Sequence, residues 1–193
     1  MTFQQEAKSW LSPPALDTNP IPELGAKAPP TDRLGIPGDD GRPTIVTFLR
    51  HCGCPFAEKT FRSMRDSAAS HPDIRFVAVS HSSPDSTDKW LEEVGGAGEG
   101  SAKVHVIVDE QRELFAKYGL GVSSYWHVLS PWALWSVYRL GADEGIWNRP
   151  TESGNRWQTA GSFGMDGDGK VRWGSAAGSA NDVPDFEEAV KAV

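Results

Sequence analysis

Two cysteines one glycine apart, Cys52 and Cys54, are the residues of this chain best suited to chemistry, and they stand in the run Arg50-His51-Cys52-Gly53-Cys54-Pro55-Phe56. A thiolate attacks peroxide oxygen or disulfide sulfur, and a thiol at a helix start or beside Arg, Lys or His⁺ can have its pKa lowered from about 8.5 to roughly 3.5–7.5. The first N–H groups of a helix lack intrahelical partners and the macrodipole adds positive potential, so an anion is favoured there. Pro55 suits the first helical position, because its fixed φ is compatible and its missing N–H would have gone unpaired. Cys54 is therefore the expected nucleophile, and Cys52 either a resolving thiol or a structural residue. Arg50 supplies a cation, while His51 either transfers a proton or packs as a polar group.

Those residues need a strand before them and a helix after them. Thr44 to Leu49 is β-branched and apolar as a buried strand requires, and residues 55–69 read as a helix. The alternation continues with a strand at 74–80, a helix around 85–94, a glycine-rich break, a strand at 104–109 and a helix at 110–118. Repeated strand and helix order predicts an α/β layer fold with right-handed crossovers, in which ligands gather at strand C-terminal ends. The end of the first strand is where Arg50 to Cys54 lies.

A chain of 193 residues is long enough for one domain with a sizeable core. Residues 1–43 carry more than half of the prolines and little periodicity, and read as an arm packed on a domain spanning 44–193. A net charge of −7 with no long basic run argues against nucleic acid or an anionic membrane as partner. With no leader-like or membrane-spanning stretch, the expectation is a cytoplasmic protein. Two cysteines in a reducing compartment are catalytic, redox-sensing or buried rather than a disulfide framework.

Aromatic residues crowd the stretch from Tyr125 to Trp147. Ser130-Pro131 resembles an N-cap with proline at the first helical position, and Gly141 a stop, predicting a helix near 131–140. Its rings either fill core or form a wall over the thiol that shapes a pocket for an organic substrate. Asp166-Gly167-Asp168-Gly169 between two strand-like flanks predicts a hairpin, and a helix over 183–190 closes the chain.

The order of elements resembles the thioredoxin fold, and within it the AhpC/TSA branch related to peroxiredoxins. The resemblance is carried by Gly25-Ala26-Lys27-Ala28-Pro29, by Phe48 through Phe56 as the strand-to-helix active site, by Ser130-Pro131 with Trp135 as the helical excursion, and by the hairpin from Phe163 through Val171. It covers roughly residues 22–193. It implies an α/β thioredoxin-like fold, a central mixed sheet flanked by helices, with a Pro-rich N-terminal arm and an aromatic-rich helical insertion.

The function implied is thiol-dependent reduction of a small-molecule peroxide, endoperoxide or disulfide, with Cys54 aligned to the reactive cysteine and Arg50, His51 and Cys52 as its catalytic neighbours. A dedicated biosynthetic role on one small molecule is the narrower form. Pro55, Phe56, Tyr125, Trp126, Trp132, Trp135 and Trp157 are the expected substrate contacts. No bound cofactor or metal is implied; the electrons come from an external thiol reductant, glutathione or thioredoxin. A homodimer is compatible with this reading. The chain departs from its relatives where peroxiredoxins carry a Thr three residues before the reactive Cys, here His51, and a Pro four further back, here Thr47. The second cysteine of a Cys-x-x-Cys pair is replaced by Ala57, and no proline stands in 157–161. These losses leave room for an alternative, a non-catalytic binding module that uses the Trp-rich segment. His51, Cys52 and Cys54 could also hold a soft metal.

Overall fold

The structure, a computed structural model, describes residues 10, 11, 13–123 and 131–193. Strand β1 (Thr44–Phe48) is buried at all five positions, as its apolar run requires when both faces of a sheet are covered. It pairs in parallel with β2 (Arg75–Ser80), which pairs in parallel with β3 (His105–Val108). On its other side β1 pairs antiparallel with β4 (Gly161–Met165), and β4 with β5 (Val171–Ala176). The order β3-β2-β1-β4-β5 makes one mixed sheet, the thioredoxin-like arrangement.

Helix α1 (Pro55–Ser70) follows β1, and α2 (Pro84–Glu93) follows β2. The remaining helices are α3 (Glu113–Lys117), α4 (Pro131–Glu144) and α5 (Phe186–Ala192), with a short 3₁₀ turn at Gly100–Ala102. Strand alternation sends Ile45 and Leu49 to one face, where they meet Phe61 and Met64 of α1 and Phe186 and Ala189 of α5. Val46 and Phe48 face the other way, against Leu114, Phe115, Tyr118, Phe163 and Leu34. Phe48 packs its ring against those of Phe115, Tyr118 and Phe163.

Segment 13–43 follows the start of β5: Gly25 N donates to Val171 O at 2.7 Å and Ala28 N to Gly169 O at 2.9 Å. Arg33 adds an ion pair to buried Asp109 at 2.6 Å. Helix α4 does not stop at the expected Gly141 but runs to Glu144. Gly141 is explained by packing: a Cβ there would lie 2.4 Å from the Trp147 ring, so the glycine makes room for the indole. Among the described residues, no helix is long and apolar enough to cross a membrane.

Candidate active site

Cys54 is the N-cap of α1, with extended backbone (φ −79°, ψ 126°). Its N–H donates to His51 O at 3.0 Å, and its carbonyl accepts from Ala57 N at 3.0 Å, so the turn and the first helical turn share one residue. The cysteine is buried, 7 % exposed. Arg50, buried at the end of β1, donates from Nε to Cys54 Sγ at 3.3 Å and from Nη2 to Arg156 O at 2.8 Å. Its Nη1 is buried with no hydrogen-bond partner among the described residues. Arg50 thus sets a cation beside a sulfur that stands at a helix N-terminus.

Cys52 faces elsewhere. Its N–H donates to Ser82 Oγ at 3.1 Å, and its sulfur lies 3.6 Å from Ser80 Oγ and 3.9 Å from Thr87 Oγ1, on the β2–α2 side. Burial pushes this thiol's pKa up, against the opposite pull of the Ser82, Ser80 and Thr87 hydroxyls. His51 is also buried, with Nδ1 3.5 Å from Thr151 Oγ1. Its pKa is held well below the ordinary imidazole value, first by desolvation and then by the charges of Arg50 and Arg156. His81 lies in the same interior, bound through Nε2 to Asn155, and is pushed down to about 4, chiefly by desolvation. His51, Cys52 and Cys54 thus turn toward Thr151, Ser80 and Arg50 respectively, and no group of three metal-ligating side chains is assembled among the described residues.

Segment 149–157 crosses the cysteine loop as a strap. Arg149 N donates to Gly53 O at 3.0 Å, Ser83 N donates to Ser153 Oγ at 2.8 Å, and Lys89 pairs with Glu152 at 2.6 Å. Buried Glu58 of α1 accepts from Arg62 and from Arg149, whose Nε lies 2.9 Å from Glu58 Oε2. Glu58→Gln keeps the volume and removes the charge shared by two guanidinium groups. Both arginines are partly solvated, so the loss should be about 2 kcal/mol, below the roughly 3–5 kcal/mol for breaking a fully buried pair. For a chain of this size that lowers Tm by about 4–8 °C. Calorimetry of the variant checks it; an unchanged Tm would mean that the pair carries no net stability.

Gly53 is required by space rather than by its dihedral angles. A Cβ at this position would sit 2.8 Å from Arg149 O and 3.0 Å from Pro150 O, both backbone atoms that cannot rotate away. Gly53→Val should therefore lift the strap from the loop, with a loss of about 1–3 kcal/mol from overpacking. Faster cleavage within 149–157 by a protease at low dose is the accompanying signature. A variant as protected as the parent would contradict it.

Two cavities flank the loop. One of about 300 Å³ is lined by Arg50 and Phe56, on either side of Cys54 in sequence, together with Thr47, Thr60, Ser162, Trp173, Ser175, Asp182 and Asp185 among others. The other, about 100 Å³, is lined by Cys52 with Lys89, Trp90 and Arg149 among others. The expected aromatic wall is distributed differently. Trp132 and Trp135 are 70 % and 52 % exposed on α4 and border a shallow groove shared with Phe56, not the cavity lined by Arg50. Trp157 is buried, its Nε1 donates to Trp10 O at 3.0 Å, and the two indole rings meet edge to face. Pro55 opens α1 and is buried. Tyr125 and Trp126 lie outside the described residues. Reading the sequence alone missed Arg156, Arg149, Thr151 and Glu58, and the hydroxyl cluster around Cys52. Only Ser83-Pro84, a cap-and-proline pair opening α2, carried a local signal for any of that cluster.

The fold has solved relatives. A peroxiredoxin-like protein from Aquifex aeolicus superposes with a TM-score of 0.59 at 16 % identity, covering 90 % of this chain and 87 % of its own. A thiol peroxidase from Chromobacterium violaceum superposes with a TM-score of 0.56, also at 16 % identity, covering 92 % of this chain and 89 % of its own. At that identity the likeness is one of fold. No curated protein matches the sequence. The pattern of one family matches residues 61–177, more than half of the chain, beginning just beyond the cysteine loop. By that match the chain belongs to the AhpC/TSA antioxidant enzyme family.

Proposed function

We propose that the protein is a thiol-dependent oxidoreductase that reduces a peroxide through Cys54. The observation that carries this reading is the Arg50 Nε to Cys54 Sγ contact of 3.3 Å at the N-terminus of a 16-residue helix. The Cys54 thiolate attacks the terminal peroxide oxygen, the O–O bond breaks, and the leaving alkoxide takes a proton to become the alcohol. Sulfur is oxidised by two electrons to a sulfenic acid. The guanidinium of Arg50, whose Nε lies 3.3 Å from the sulfur, supplies positive charge next to the reacting atoms. Buried, neutral His51 acts by filling and positioning rather than by carrying charge. A thiol then condenses with the sulfenic acid, releasing water, and a second thiol displaces the mixed disulfide. Among small molecules, an organic peroxide or endoperoxide fits the larger cavity, and a role in the biosynthesis of one metabolite is compatible with it.

The test is trapping. Treated with one equivalent of hydrogen peroxide and a dione probe for sulfenic acids, the protein should carry the adduct on the peptide containing Cys54 when mapped by fragmentation at that residue. With glutathione in place of the dione, the product should be a mixed disulfide at Cys54. No adduct at Cys54 would overturn the reading and favour the alternative, a binding module whose exposed Trp132, Trp135, Tyr138 and Trp147 are its contact surface.

A further inference from the structure

The two edges of the sheet are treated differently. At the start of β5 the chain's own segment 25–28 exchanges backbone hydrogen bonds with Gly169 and Val171. On the opposite side β3 is the outermost strand, with no strand beyond it. We infer that this β3 edge docks an extended, acidic segment of a partner protein, which pairs with it as a sixth strand.

The ladder decides which backbone groups are on offer. Asp109 N donates to Ser80 O at 2.7 Å, so by alternation Ile107 and His105 also turn their peptide groups toward β2, while Val106 and Val108 turn theirs outward. The Val108 carbonyl accepts from Arg33 Nη2 at 2.7 Å. Neither the N–H nor the carbonyl of Val106 has a partner among the described residues. An edge left in this state is a template for a further strand, whose main-chain bonds supply affinity and whose alternate side chains supply selectivity.

The groove along that edge specifies the occupant. It holds about 530 Å³, is lined by Arg33, Arg75, Lys103 and His105 with Leu91 and Val106 among others, and has no Asp or Glu in its lining. In a chain of net charge −7 this is a local reversal of sign. Arg33 is offset by buried Asp109, 2.6 Å from its Nη1. Arg75 keeps its charge, because it donates to the carbonyls of Leu34 and Gly35 and to the Thr44 hydroxyl, and nearby Asp40 is itself paired with Arg42. Lys103 is exposed and makes no hydrogen bond or ion pair among the described residues.

Register also sorts these groups by face. Val77 pairs with His105, so Arg75, two residues before Val77, shares a face with His105 and Lys103. Val104 and Val106 belong to the apolar cluster on the other face, with Leu91. A strand with carboxylates at alternate positions and small apolar side chains between them matches both faces at once. The same charges oppose a second copy of this chain, whose edge would bring Arg75 and Lys103 against their own kind.

The experiment uses the full chain and a fluorescein-labelled heptapeptide of alternating glutamate and valine, followed by anisotropy. Binding should saturate, weaken with added salt, and exceed that of the lysine and valine counterpart by at least about tenfold. Methylating either the glutamate or the valine backbone nitrogens keeps the side chains and removes the donors of one strand edge, so one of the two methylated peptides should lose about tenfold and the other little. Val106→Pro, which deletes an outward N–H at an edge position where proline is tolerated, should lower affinity to a similar extent. Lys103→Glu should do so through charge, and stands as the second variant if the proline impairs folding. Cys54 trapping by peroxide should be unchanged in Lys103→Glu. No saturable binding at millimolar peptide would overturn the inference, as would equal affinity for the lysine peptide, equal binding of the two methylated peptides, or indifference to both variants. So would an eight-nucleotide single strand bound as tightly as the acidic peptide, or sedimentation of the chain alone as a dimer that Val106→Pro dissolves.

Discussion

Cys54→Ser is expected to reduce thiol-dependent peroxide turnover to the uncatalysed background, and Arg50→Met to lower the rate of Cys54 oxidation by about a hundredfold, the usual loss on removing one preorganised donor. Methionine keeps the apolar stem of Arg50 and removes what matters, the positive charge and the Nε donor 3.3 Å from the sulfur. The substitution also leaves the Arg156 carbonyl without its 2.8 Å donor, so part of any loss could be structural. Arg50→Lys separates the two contributions, since it keeps the charge without the planar fork and should recover part of the rate. Single-turnover kinetics with hydrogen peroxide, followed by tryptophan fluorescence or quenched mass analysis, provide the measurement. Cys52→Ser should oxidise at close to the parental rate, because the Cys52 sulfur addresses Ser80 and Thr87. Equal rates for the parent and Arg50→Met would remove Arg50 from the chemistry.

Acid should destabilise the protein well before its carboxylates are protonated. His81 is buried and its folded pKa lies at about 4, against an ordinary value of 6.5, with desolvation the main cause and Arg50 and Arg112 adding to it. Above pH 6.5 the ring is neutral in both the folded and the unfolded chain, and the stability is fully present. Between 6.5 and 4 the unfolded chain takes up a proton that the folded chain refuses, so stability falls with pH and the loss levels off below 4. At 1.36 kcal/mol per unit, His81 alone accounts for about 3 kcal/mol, a large share of the roughly 5–15 kcal/mol that holds a domain folded. His51, shifted in the same direction, adds to the loss. Urea titrations at pH 7.5 and pH 4.5 should show a lower midpoint in acid with a similar slope, and His81→Gln should flatten the dependence. A midpoint that does not move over that range would mean that both rings accept protons within the fold.

The strands were legible because burial writes itself into composition. Thr44-Ile45-Val46-Thr47-Phe48 and Arg75-Phe76-Val77-Ala78-Val79 are covered on both faces, and an uninterrupted β-branched and aromatic run is the local cost of that environment. The place of Cys54 at a helix start could be read the same way, from a strand, a turn and Pro55 in succession. What could not be read is what long-range contact decides. Glu58 finds Arg149 91 residues away, and Arg50 finds the carbonyl of Arg156 106 residues away. Strap 149–157 has no periodicity of its own and takes its shape from the loop it covers. The tryptophans show the limit from the other side: Trp157 is buried, edge to face with Trp10, while Trp132 and Trp135 are exposed, and nothing in an indole states which neighbours it will have.

Gly53 and the strap also divide their constraint unevenly. Their contact runs from the face of a glycine to the carbonyl oxygens of Arg149 and Pro150, groups that every residue possesses. The requirement is therefore inscribed in one partner alone. Across related chains position 53 should tolerate almost no replacement, while position 150 drifts freely, and methods that infer proximity from paired changes would find no trace of the junction that closes over Cys54.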